Sequence, residues 1–163
     1  MNESESLRGI PGILRPFKEY IKGLNLNEDD LVVYYGCVGT CTPFVELLAV
    51  AIRGLHLRQA FVPLLDEAKA HVIYNVPEIG MQASGEQMAV TEARVLVIMG
   101  GLAMPHMPVT KEQVLDITRS HRDAKVVGVC FQNMFVKAGW TESVPFDLTI
   151  NAMIDNITVI RPG

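Results

Sequence analysis

An α/β fold, with a parallel sheet held between layers of helices, is what three junctions in this sequence predict. Leu31-Val32-Val33-Tyr34-Tyr35 is an uncharged β-type run that breaks at Gly36 into Cys37-Val38-Gly39-Thr40-Cys41-Thr42-Pro43 and then a helix. Val95-Leu96-Val97-Ile98-Met99 ends in Gly100-Gly101, and Val126-Val127-Gly128-Val129 ends in Cys130-Phe131-Gln132-Asn133. Neighbouring parallel strands deliver their carboxyl ends to one crevice, so these three tips are expected to face one another.

The remaining elements follow in order. Residues 1–6 read as a disordered acidic tail, after which Leu7, Ile10, Leu14, Phe17 and Ile21 recur at helical spacing. Pro11 and Pro16 disturb this first helix, and Gly23 with Asn25 stops it. After the first strand, Thr42 is placed to cap a helix with Pro43 at its first position, and Phe44, Leu47, Leu48, Ala51, Ile52 and Leu55 form its buried face. Gln59 to Leu64 reads as a strand, Asp66 to Ala70 as a short helix, and His71 to Tyr74 as a third strand. Asn75 to Gln87, with Pro77, Gly80 and Gly85, reads as a long loop. A helix is expected from Thr110 to His121, and another from the Cys130 junction to Gly139. Phe146 to Ile150 and Ile157 to Ile160 read as a C-terminal β-hairpin. The predicted fold is thus a three-layer Rossmann-like or flavodoxin-like parallel sheet with that hairpin added.

Bulk properties narrow the partners. The 163 residues, 49% hydrophobic, suit a single domain over 1–163. A net charge of -4 with no clustered Lys/Arg face argues against nucleic acid. No apolar run approaches the roughly 20 residues that span a bilayer, and the start lacks the basic and apolar regions of a signal peptide. The expectation is a soluble cytoplasmic protein with no membrane partner. Three cysteines are too few for a disulfide scaffold and read as free thiols.

The first junction holds the parts of an anion site: backbone N–H groups around Gly36, Cys37 and Gly39, the hydroxyls of Thr40 and Thr42, and a helix N-terminus. It is neither a Walker loop, which needs a Lys, nor a full dinucleotide fingerprint, which needs a third glycine. The plainer alternative is that Gly36 and Gly39 only let strand and helix pack closely. Cys130, where a strand turns into a helix, sits where a thiol gains nucleophilicity, and His106 in the Gly-Gly loop is the base within reach. Cys37, Cys41, Cys130 and His106 also make a weak soft-metal set, because Cys-x-x-x-Cys is no standard zinc spacing; no metal is assigned. Gln132 and Asn133 are placed to cap the last helix or to bond a ligand carbonyl. Met99, Met104, Met107 and Met134 line a pocket or fill core gaps. His56, His71 and His121 fall near element ends and read as solvated, and Glu46 reads as favouring its helix dipole.

Two resemblances add to this reading. Met99-Gly100-Gly101-Leu102, then Lys125-Val126-Val127-Gly128-Val129-Cys130, then Ala138-Gly139-Trp140, resembles the class I glutamine-amidotransferase-like superfamily, in particular its intracellular-protease and chaperone branch. The ending Asp155-Asn156-Ile157-Thr158 with Arg161-Pro162-Gly163 is similar to that branch's last strand. The resemblance implies a nucleophilic Cys130, yet no His follows it and Phe131 stands where that branch commonly has His. Gly39-Thr40-Cys41-Thr42-Pro43-Phe44-Val45-Glu46-Leu47 resembles an uncharacterised archaeal family found largely in methanogens, which implies no established activity.

The leading expectation is a protein that binds a small anionic or phosphorylated metabolite at the carboxyl ends of its parallel strands, with no cofactor specified. Gly36, Cys37, Gly39, Thr40, Thr42, Gly100, Gly101, Gln132 and Asn133 would form that site. The alternatives are a cysteine-dependent enzyme using Cys130, with His106 assisting, and a homo-oligomeric interaction module without a small ligand.

Overall fold

The computed structural model describes residues 3–163. Of the acidic tail expected over 1–6, Met1 and Asn2 lie outside the described residues, and Glu3 to Ser6 are exposed without regular structure. The chain runs α1 (Gly9–Gly23), β1 (Leu31–Gly36), α2 (Thr42–Ile52), β2 (Arg58–Pro63), β3 (His71–Val76), β4 (Gly80–Gln87), β5 (Ala93–Met99), α3 (Lys111–Ser120), β6 (Lys125–Phe131), α4 (Met134–Lys137) and β7 (Leu148–Ala152).

The strands form one seven-stranded sheet in the order β4-β3-β2-β1-β5-β6-β7. From β2 to β7 the neighbours are parallel, while β3 runs antiparallel to both β2 and β4. Side chains of β1 alternate between two cores because successive residues of a strand point to opposite faces. Val32 and Tyr34 meet Phe17, Ile21, Val45, Leu48 and Ile52 of α1 and α2. Leu31, Val33 and Tyr35 share the other core with Val114 of α3, Phe135 of α4, and Trp140. Helices therefore flank a mostly parallel sheet on both faces, the three-layer α/β fold that the sequence predicts. Pro16 lies inside α1 without ending it.

Four local expectations are corrected. Residues 75–87 are not a long loop but the end of β3, the turn and the second strand of an antiparallel β3/β4 hairpin, with Ile79 N–H on Val76 O at 3.0 Å and Gly80 at φ +110°. The sequence hides β4 because it is an edge strand in which only Met81 is buried, so it needs no apolar alternation. The sheet is consequently mixed rather than purely parallel. The helix expected up to Gly139 is a single turn, α4, because Gln132 and Asn133 both adopt left-handed backbone and Gly139 (φ +70°) closes the turn. The C-terminal hairpin is replaced by one strand, β7, parallel to β6; residues 153–163 carry no strand, and Asn156 turns left-handed (φ 55°) where the second strand would begin.

Candidate functional site

Strand order reverses at β1, with β2 on one side and β5 on the other. The loop leaving β1 leads to α2 on one face of the sheet, and the loop leaving β5 leads towards α3 on the other. Such a crossover point is where open α/β sheets offer a crevice outside their carboxyl ends.

The three tips do converge there, packed against the three cysteines. A Cβ at Gly101 would lie 2.6 Å from Cys37 Sγ and closer still to Cys41 Sγ. One at Gly36 would lie 2.7 Å from Cys41 Cβ, and one at Gly100 would lie 2.7 Å from Cys130 Cα. Gly36 and Gly101 are therefore small because the Cys37 and Cys41 side chains occupy the space against them, and Gly100 because the Cys130 backbone and Cβ do. Cys37, Cys41 and Cys130 are 6%, 4% and 1% exposed, so the crossover has a packed floor rather than a deep hollow.

Burial favours the neutral form of two of these thiols, Cys41 and Cys130. Cys37 and Cys41 share a sulfur–sulfur contact of 3.1 Å, and the Cys41 N–H donates to Cys37 O at 3.1 Å. Burial first, and then the bond to Cys37, push the Cys41 thiol up to about 12. Burial also raises the Cys130 thiol, against a smaller opposing pull from the Phe135 and Met134 amides. That thiol donates to Asn151 Oδ1 at 3.3 Å. His106 is exposed at a left-handed position (φ 67°), and among the described residues no hydrogen bond joins it to Cys130.

Above this floor, Val38, Gly39 and Thr40 form an exposed rim. Thr42 does not cap α2 as expected. It is the first residue of the helix, Cys41 holds the cap position, and Thr42 Oγ1 instead accepts the Gly39 N–H at 3.2 Å. The Val38 and Thr40 amides have no partner within the described residues. On the third tip, Gln132 and Asn133 are committed to the fold. Gln132 Nε2 donates to Ile154 O at 2.7 Å, and Asn133 exchanges bonds with Asn151 at 3.0 and 2.7 Å. These bonds hold two successive left-handed residues, and neither side chain caps α4.

The methionines take the gap-filling role: Met99 is buried, Met104 and Met107 pack on one core and Met134 on the other. Glu46 does not serve its helix dipole alone, since its Oε1 accepts the Ala83 N–H of β4 at 3.2 Å. Among the described residues no group of three or more His, Cys, Asp or Glu is arranged to hold a metal.

One polar cluster escapes the sequence reading. His121, expected to be solvated, has a side chain only 10% exposed, with Nε2 2.6 Å from Glu67 Oε1. The same oxygen accepts the Tyr35 hydroxyl at 2.6 Å, and burial of Tyr35, followed by that bond, raises its phenol well above the usual range. Beside it lies an open cleft of about 460 Å³ between Leu64–Asp66 and α3. No short motif signals this cluster, because its members stand 32 and 54 positions apart.

Comparison with known proteins places these features in a lineage. Residues 8–155 match the family described as an uncharacterized protein conserved in archaea (DUF2124). An uncharacterized protein of Methanocaldococcus jannaschii is 32% identical over 146 residues, covering 90% of this chain and 86% of its own. Another from Methanothermobacter thermautotrophicus is 32% identical over 157 residues, covering 95% and 96%. A crystal structure of a protein of unknown function from Methanothermobacter thermautotrophicus superposes with a TM-score of 0.84 at 31% identity, over 99% of each chain. With the match spanning nearly the whole α/β body, from the start of α1 to just beyond β7, this chain belongs to the archaeal DUF2124 family.

Proposed function

We propose that this protein binds a small anionic metabolite, phosphorylated or carboxylated, over the carboxyl edge of the sheet at the β1/β5 crossover. The observation that carries this reading is the exposed rim Val38–Thr40, where two amides with no partner among the described residues stand beside the hydroxyls of Thr40 and Thr42. The N-terminus of α2 adds positive potential from aligned peptide dipoles. Gly39 (φ +84°) supplies backbone freedom in the rim, and Gly36, Gly100 and Gly101 bring the neighbouring tips close beneath it. Gln132 and Asn133 support this reading as scaffolding, because their own bonds fix the third tip.

A cysteine-dependent reaction, which the amidotransferase-like resemblance of the second half suggested, draws less from the geometry. Cys130 is buried, its thiol is raised rather than activated, and its partner is Asn151 rather than His106.

Thermal denaturation with a panel of phosphate- and carboxylate-bearing metabolites tests the proposal. A ligand at a hundred times its Kd adds about 2.7 kcal/mol to stability and raises the Tm accordingly. Thr40→Val is expected to remove most of that shift while leaving the ligand-free Tm in place, since Thr40 is exposed. A panel in which nothing moves the Tm, or a shift that survives Thr40→Val combined with Thr42→Val, overturns it.

A further inference from the structure

We infer that residues 157–160 of one copy of this chain add as a further strand along the outer edge of β7 in a second copy. β7 is the last strand of the sheet, and among the described residues no backbone hydrogen bond reaches it from the outer side. An open strand edge is a template for another extended segment, which natural proteins normally cover or blunt. Beside this edge runs a groove of about 1690 Å³, bounded by residues 3–16 on one side and 148–156 on the other. Small-molecule sites measure about 300–1,000 Å³, so the groove is of peptide size. Ile10, 45% exposed, and Leu148 lend it apolar surface.

The same chain carries a segment suited to it. Ile157-Thr158-Val159-Ile160 is an unbroken β-branched run, the composition that favours strands. Ile157, Val159 and Ile160 are 76%, 64% and 87% exposed, so most of their apolar surface is left open. Just before them, Gln132 holds Ile154 O and Asn156 takes a left-handed backbone turn. An edge without a strand and a strand without a sheet, present in one molecule, are both satisfied by reciprocal exchange about a two-fold axis.

Light scattering of the full chain, of Val159→Pro, and of a chain cut after residue 155 tests this inference. Proline removes a ladder donor from an exposed segment without touching the core. The cut chain keeps the whole span that matches the family, so its fold is expected to persist by circular dichroism. The full chain is expected to be a dimer, and both variants are expected to fall to half its mass. A monomeric full chain, or a dimer that persists in both variants, overturns the inference. So does protection of the 157–160 amides from exchange in a monomeric full chain, which would mark a return to its own edge.

Discussion

Gly100 and Gly101 are neighbours that answer to different obstacles, and this difference makes the crossover testable residue by residue. An alanine methyl at Gly101 meets two side-chain sulfurs, whereas one at Gly100 meets the Cys130 backbone carbon as well as its Cβ. Both substitutions are expected to destabilise by about 1–3 kcal/mol, the usual cost of overpacking. Thermal denaturation should show Cys41→Ala recovering part of the loss in Gly101→Ala, while no truncation at position 130 relieves Gly100→Ala. Gly54→Ala, with nothing within 4 Å of its added carbon, should be close to neutral. At this scale the sequence named the glycines and cysteines that meet, because each closes an apolar run. It did not show that the sulfurs fill the crevice, since depth of packing leaves no mark in local spacing. His121 is hidden for a related reason: its partner Glu67 is remote in sequence, and nothing local distinguishes a buried helix-end histidine from a solvated one.

At the scale of elements, legibility followed burial. β1, β5 and β6 sit inside the sheet, need apolar residues on both faces, and were plain in the sequence. β4 is an edge strand and carries little apolar pattern, so its hairpin leaves no mark in the sequence. α3 lies within the helix expected from Thr110 to His121, and the structure adds that Thr110 and Gln113 form a reciprocal capping box, with bonds of 3.2 and 2.9 Å. Thr110→Ala should therefore cost about 1 kcal/mol, read as a lowered midpoint in urea with an unchanged slope. α4 is shorter than its periodicity implies because two residues before it are left-handed, which periodicity does not reveal.

For the molecule as a whole, the buried thiols and phenols predict sensitivity to alkali. Cys41 ionises near 9 in the unfolded chain but only at about 12 when folded, and Cys130, Tyr34 and Tyr35 are shifted in the same direction. The unfolded state then binds fewer protons above the lower value, so rising pH favours it. Stability from these groups is complete below the unfolded value and is lost as pH climbs through the folded ones. The Tm should accordingly hold near neutrality and fall steadily above about pH 9, and the Cys41→Ala variant should fall less steeply. A Tm indifferent to alkali would contradict the packing described here. The packed sulfurs also carry a kinetic meaning. An adduct on any of the three thiols has no room while the crossover is shut, so alkylation times how often this region breathes rather than how nucleophilic each sulfur is. The protein thus carries a built-in clock beneath its rim, and whatever clamps the rim will slow it.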